Sequence, residues 1–379
     1  MTLVARIVAE IDGNGGWLPF DRFMALALYE PGLGYYAGGR RQFGLMPTDE
    51  KGQGQGPGSD FVTAPEMSPL FGRALARQIA QALRATGCRE VIEFGAGSGA
   101  LAAQLIAELD ALDAGLLRYR IVELSADLRE RQRERLKPVL DAAAGRVEWL
   151  DTWPERIEAV IVGNEVLDAM PVQLLHFDGQ RWLERGVVRH GDAFAFGDLP
   201  TPLRPPLCPP LQDPVHGPFV PGTVTEIHPQ AEAFIRTLAG RLTRGAAFFI
   251  DYGFPEAEYY HPQRHGGTLM CHQAHQADGN PLVAVGDKDI TAHVNFTGIA
   301  LAGQEAGLTV LGYTTQAHFL LNCGLAELLD GASLPERAMA HRLLAEHEMG
   351  ELFKVIGFAP QPEPFDALGF ARGDRSHTL

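Results

Sequence analysis

Glu93 stands two residues before three glycines at alternate positions in "IEFGAGSGAL": Gly95, Gly97 and Gly99, followed by Ala100. An apolar strand that runs into glycines and then into a helix lets a ligand press against backbone. The same spacing satisfies the dinucleotide fingerprint G-x-G-x-x-G/A, so the glycines alone admit NAD, FAD or a ligand with no phosphate. The neighbouring acids discriminate between these. Glu93 would repel a pyrophosphate, which counts against a dehydrogenase. It suits S-adenosylmethionine (SAM), which carries a sulfonium and an ammonium and no phosphate. Glu123 ends the next apolar run in "IVELS", where an acid can accept hydrogen bonds from both ribose hydroxyls. Asp151 ends a third run in "EWLD", where a carboxylate can accept from an adenine amino group. Each acid alone reads as a solvated strand end. The three with the glycines predict SAM.

The elements that position these residues follow from periodicity. From residue 90 apolar runs alternate with helical patterns: "EVIEFG", "YRIVEL", "RVEWL", "AVIVGNEVL" and "AAFFIDYG", with helices over 99–112 and 125–143. Continuous apolar strands alternating with helices predict a doubly wound, mostly parallel sheet. Upstream, residues 2–11 and "DRFMALALYEP" read as helices, the second stopped by Pro31, and 67–87 as a long amphipathic helix ending at Gly87. Residues 44–59 are rich in Gly and Pro and read as a mobile loop. The alternation breaks at 171, where Asp178-Gly179 and Gly191-Asp192 signal hairpins. A Pro-rich stretch runs to about 222. The helix "PQAEAFIRTLAGRL" then returns to the sheet, and the tail adds a helix near 298–306, the strand "LTVLGYTT", a helix over 324–348 and the strand "LFKVIGFA". The expected organisation is an N-terminal helical lid segment over 1–86, a core over 87–170 and 223–379, and a β-rich, Pro-rich insertion over 171–222 related to substrate.

"EFGAGSGAL" and "IVELSADLRERQ" resemble the first two motifs of class I SAM-dependent methyltransferases. "FDRFMALALYEPGLGYY", "SDFVTAPEMSPLFGRALA", "GNEVLDAMPV" and "YTTQAHFLLNCGL" resemble the MidA family over about residues 15–360. That resemblance implies a Rossmann-like, seven-stranded α/β sheet with a reversed last strand, SAM as cofactor, and symmetric dimethylation of arginine on a protein. It also implies a respiratory complex I subunit as partner, since the family's eukaryotic members are mitochondrial methyltransferases that help assemble that complex. It places "DFVTAPE" over SAM, with Thr63 and Glu66 in contact, although Glu66 and Ser68 equally suit a helix start. The chain departs from the family at Asn295, where Asp is usual.

Guanidinium is cationic and a poor nucleophile. Carboxylates that grip it with paired hydrogen bonds would orient it and take the proton lost on methylation. The candidates follow the fourth strand: Asn164, which is also a candidate SAM contact, Glu165 and Asp168. The alternative for Glu165 or Asp168 is a cap on the next turn. Glu226 in "TEIHP" is a second clamp or a helix-start acid. Tyr35 and Tyr36 line the substrate entry or pack in the core, and Asp251 in "IDYG" lines the cleft or is structural. Cys271, His272 and His275 in "CHQAHQADGN" lack a second cluster to complete a zinc site, so no metal is expected. The alternative within enzymes is methylation of another small or protein substrate, and the rival to catalysis is a SAM-holding assembly scaffold.

Bulk properties bound these readings. The 379 residues are 46% hydrophobic, enough for one elaborated domain or two. A net charge of −15 disfavours nucleic acid as a partner and favours a basic protein or peptide. No apolar run is long enough to span a membrane. The four cysteines (Cys88, Cys208, Cys271 and Cys323) follow no spacing rule, and the start resembles neither a signal nor a transit peptide. A reduced, cytoplasmic protein is the expectation.

Overall fold

Apolar runs bounded by polar turns become the buried strands of a twisted sheet. The computed structural model describes residues 1–38, 63–206, 219–273, 276–361 and 365–379. The chain divides into two units: Met1–Arg40 with Leu167–Ala233 and Phe254–Ile299, and Arg41–Val166 with Phe234–Gly253 and Ala300–Leu379. The proposed mobile loop at 44–59 lies outside the described residues, as do Cys208 and His275.

The second unit carries the sheet that the alternation predicted. Its strands are β1 (Glu90–Phe94), β2 (Arg118–Val122), β3 (Val147–Leu150), β4 (Ile157–Asn164), β5 (Leu242–Phe254), β6 (Leu308–Thr315) and β7 (Phe353–Pro360). They lie in the order β6-β7-β5-β4-β1-β2-β3. Neighbours from β5 to β3 are parallel, whereas β7 runs antiparallel to both β5 and β6. This is an α/β sheet with a reversed last strand. Chain order reverses between β4 and β1, so the crevice beyond their carboxyl ends is the expected ligand position.

Helices cover this sheet with apolar faces. Helix α1 (Pro69–Thr86) starts where Ser68 Oγ accepts from the Leu70 amide and stops at Gly87, whose φ is +68°. It buries Leu70, Phe71, Ala74, Leu75, Ile79 and Leu83 in the main core with α2 (Ala100–Ala111) and the strands. The single helix expected over 125–143 is two, α3 (Ala126–Arg135) and a short helix at Lys137–Ala142, because Pro138 cannot continue α3 but suits a first turn. The helix expected over 324–348 also breaks. Leu325–Asp330 ends at Gly331, and Ser333 with Glu336 forms a capping box that starts Leu334–Leu344.

The first unit is built on antiparallel pairing. Gln173–Phe177, Trp182–His190 and Ala193–Pro200 form successive hairpins, and the turns carry Gly179 at φ +97° and Gly191 at φ +63°. Val224–Ile227 pairs with the first of these strands. Trp17–Pro19, a strand the periodicity did not reveal, pairs with Trp182–His190. The unit bounds therefore differ from the expected division: the first two helices group with the hairpins, and α1 groups with the parallel sheet. A second sheet of Met270–Gln273, Gln276–Asp278 and Asp289–Thr291 was also absent from the sequence reading.

Candidate functional site

β1 runs directly into the glycine turn. Gly95, Gly97 and Gly99 have φ of +63°, +51° and +81°, a region that L side chains avoid. Space adds to the requirement. A Cβ at Gly95 would lie 3.2 Å from Val166 Cγ2, and one at Gly99 would lie 3.3 Å from Gln132 Cα. Gly99 is the N-cap residue of α2 and offers no side chain to its first amides.

Acceptors surround this turn. Glu93 is 2% exposed and takes a hydrogen bond from the Tyr119 hydroxyl at 2.7 Å. Desolvation by burial pushes its carboxyl up to about 8, against the lowering effect of Tyr119. Glu123 is buried beyond the end of β2. Its Oε1 accepts from the Ser125 amide at 3.0 Å and its Oε2 from Gln132 Nε2 at 3.1 Å. Burial raises its pKa, and these donors hold it down. A carboxylate offers about four lone-pair sites, so these donors leave acceptor capacity for a pair of hydroxyls. Buried acidic groups beside left-handed glycines suit a cationic, phosphate-free ligand such as SAM, whose positive charge would favour their ionised form, and disfavour pyrophosphate.

Asp151, the expected adenine acceptor, is 87% exposed and held by Arg129 Nη1 at 2.6 Å. Arg129 also donates to the Glu123 carbonyl at 2.7 Å and the Leu150 carbonyl at 2.9 Å. It thereby ties the ends of β2 and β3 together. Glu66 lies against the glycine turn: it accepts from the Ser98 hydroxyl and from Arg135 Nη1 at 2.8 Å. Thr63 is the N-cap residue of the short helix Ala64–Met67, and its side chain makes no capping bond.

The end of β4 is strained. Glu165 has φ +55°, a conformation that costs a residue with a Cβ about 1–2 kcal/mol. Its amide is held by the Ile250 carbonyl at 2.8 Å, and the next amide, Val166, by Asp251 Oδ2 at 3.1 Å. Asp251 is thus the buried lock of this turn. Asn164 Nδ2 donates to Glu165 Oε1 at 2.9 Å. The buried Asn164 Oδ1 has no partner among the described residues.

The remaining candidates belong to the first unit. Asp168 is 3% exposed, and its carbonyl accepts from the Ala292 amide. Tyr35 is wholly buried, so it packs in the core, and the Tyr36 hydroxyl donates to Asp289 Oδ2 at 2.9 Å. Glu226 corrects the clamp reading. It is fully buried, Oε1 accepts from the Thr268 and Leu269 amides at 2.8 and 3.0 Å, and Oε2 accepts from the Tyr259 hydroxyl at 2.8 Å. A carboxylate so enclosed anchors its own unit. Asn295, in place of the family's Asp, accepts from the Gly298 amide at 3.3 Å. The Cys271 thiol is buried and pushed up to about 12 by desolvation. Among the described residues no group of three His, Cys, Asp or Glu could hold a metal.

Sequence reasoning missed Arg129, Gln132 and Arg135. One signal was present. Helix α3 is polar throughout except that Leu128 and Gln132, four residues apart, are its buried positions. A glutamine where the period calls for an apolar residue marks a buried polar contact.

Comparison with known proteins agrees with this geometry. The profile of a family of S-adenosyl-L-methionine-dependent methyltransferases matches residues 74–314. A crystal structure from Burkholderia thailandensis, bound to S-adenosyl-homocysteine, is 50% identical, with 100% of this chain and 96% of that chain covered and a TM-score of 0.88. The Homo sapiens protein arginine methyltransferase NDUFAF7, mitochondrial, is 28% identical over 403 residues, 94% of this chain and 83% of that protein. Its Xenopus tropicalis counterpart is 26% identical over 398 residues, 95% and 86%. These names overturn the cytoplasmic expectation, since both relatives are called mitochondrial. Cys88, Cys271 and Cys323 are buried and form no disulfide among the described residues. No helix among the described residues is long and apolar enough to cross a membrane.

Proposed function

The chain belongs to the MidA-like family of SAM-dependent methyltransferases, and from that premise we propose that it methylates arginine side chains of a protein. The observation that carries the acceptor assignment is Glu165: an ionisable residue held at φ +55° directly after the strand that borders the cofactor crevice. Strain of this kind persists where surrounding structure over-determines it, and it concentrates at reacting positions. The names of the relatives, protein arginine methyltransferases, support the same class of acceptor. A subunit of respiratory complex I and symmetric dimethylation are the finer target and product within this proposal.

The residues divide the work. Gly95, Gly97 and Gly99 give close backbone approach, Glu123 takes the ribose hydroxyls, and Glu93 provides a buried carboxylate beside the turn. Thr63, Glu66 and Asp151 complete the proposed rim. When bound, SAM supplies an electrophilic methyl group on a sulfonium. Glu165 pairs with the guanidinium, fixes its plane and accepts the proton that methylation releases. Asn164 holds one oxygen of Glu165 and so orients the carboxylate. Asp251 keeps the turn in its strained form through Val166. Asp168 is the second proposed acidic group of the acceptor machinery. The test is incubation with isotopically labelled SAM and a cell lysate, followed by mass spectrometry of the labelled protein. Label on arginine nitrogens is the expected result. Label confined to another residue type, or to small molecules, refutes the acceptor assignment.

A further inference from the structure

We propose that Gln132 is a positioning residue for the cofactor, joining the glycine turn, the ribose-binding acid and the third strand in one hydrogen-bonded unit. The proposal rests on SAM binding at the glycine turn. Gln132 is fully buried on α3. Its Nε2 donates to the Gly97 carbonyl at 2.9 Å and to Glu123 Oε2 at 3.1 Å. Its Oε1 accepts from Trp149 Nε1 at 2.8 Å.

The chemistry of the partners fixes the direction of every bond. An indole nitrogen only donates, whereas a carbonyl and a carboxylate accept. With Trp149 at one end, the amide oxygen must face the indole and the amide nitrogen must face Gly97 and Glu123. The opposite orientation would set an oxygen against two acceptors and a nitrogen against a donor. Trp149 therefore acts at a distance on the two cofactor-facing groups, through a side chain with one allowed orientation. Gln132 also shapes the turn by bulk, since its Cα lies 3.3 Å from where a Cβ at Gly99 would stand. The Ser125 amide holds the other oxygen of Glu123, so the carboxylate plane is fixed by two donors, and the Gln132 donor is the one tied to the glycine turn.

Gln132→Met keeps length and apolar volume but removes all three bonds, and Trp149→Phe removes only the orienting donor. SAM affinity measured by calorimetry should fall about tenfold in Gln132→Met and about threefold in Trp149→Phe, from the loss of hydrogen bonds that pre-organise the site. A pH series separates positioning from general loosening. The Gln132 donor holds the Glu123 carboxyl down, so its removal raises that pKa. The affinity deficit of Gln132→Met should then be larger at the acidic end of the series than at the alkaline end. A deficit constant across pH assigns Gln132 a structural role only and overturns the proposal, as does an unchanged affinity in both variants. If Gln132→Met does not fold, Trp149→Phe decides alone: wild-type affinity at every pH contradicts the proposal. Failure of wild-type protein to bind SAM would instead refute the underlying cofactor assignment.

Discussion

The Tyr119 hydroxyl on β2 donates to Glu93 Oε2 on β1 at 2.7 Å, and both side chains are buried. One donor does not offset the desolvation of the carboxylate, so Glu93 sits at about 8 instead of its ordinary 4.5. The folded state thus holds this proton more tightly than the unfolded chain does. The linkage sign follows: unfolding gains ground as pH rises from about 4.5 to about 8, and the slope vanishes above that range. Without ligand, Glu93→Gln should gain thermal stability relative to wild type as pH rises through this window. Scanning calorimetry at several pH values checks it. A difference between the two proteins that does not change with pH would show that Glu93 is not the titrating group.

Glu165→Gly should separate stability from activity. Glycine adopts φ +55° without steric cost, so relief of strain should raise stability by up to about 1 kcal/mol, after glycine's own entropic cost. Methyl transfer should be lost in the same protein. A lower melting temperature would mean that contacts of the Glu165 side chain outweigh its backbone strain.

Glu226→Ala should act on folding. It leaves the Thr268 and Leu269 amides and the Tyr259 hydroxyl without their buried acceptor, at a cost of about 3–5 kcal/mol. Urea unfolding measures this. A variant of wild-type stability that has lost transfer would restore Glu226 to the acceptor site.

Much of this was legible in the sequence where one local rule decided the outcome. The buried strands announced themselves as apolar runs, and Gly95, Gly97 and Gly99 as a turn that needs left-handed backbone. Glu93 and Glu123 could be placed because each ends such a run. The rest depended on partners distant in the chain. Glu226 sits before a helix like any first-turn acid, and only the return of Thr268 and Leu269, some forty residues later, shows that it is enclosed. Asp151 ends an apolar run, and only the approach of Arg129 from α3 shows that its carboxylate already has a cationic partner. Trp17–Pro19 is too short for periodicity and is defined by its pairing with Trp182–His190. The breaks at Leu136 and Gly331 were readable from Pro138 and from Ser333 with Glu336, local signals outweighed by the surrounding helical period.

Glu123→Ala should weaken SAM by about 1–3 kcal/mol through loss of charge-assisted hydrogen bonds to the ribose. Folding should survive, since Gln132 Nε2 keeps the Gly97 carbonyl as acceptor and only the Ser125 amide loses its Glu123 partner. Calorimetry against SAM and NAD on the same preparation gives a second reading: SAM binds and NAD does not. Tighter binding of NAD than of SAM would place a pyrophosphate at the turn and contradict the role given to Glu93.

The central claim is that Glu165 prepares an arginine of a protein for methylation at a SAM site it does not itself build. Transfer of labelled methyl to the identified target, measured for wild type and Glu165→Gln alongside SAM calorimetry on both, tests it most directly. The expected result is a fall in transfer of at least about a hundredfold, as for loss of a general base or electrostatic group, with SAM affinity within about threefold of wild type. Full transfer by Glu165→Gln, or no transfer by wild type to any protein while SAM binds, would contradict it.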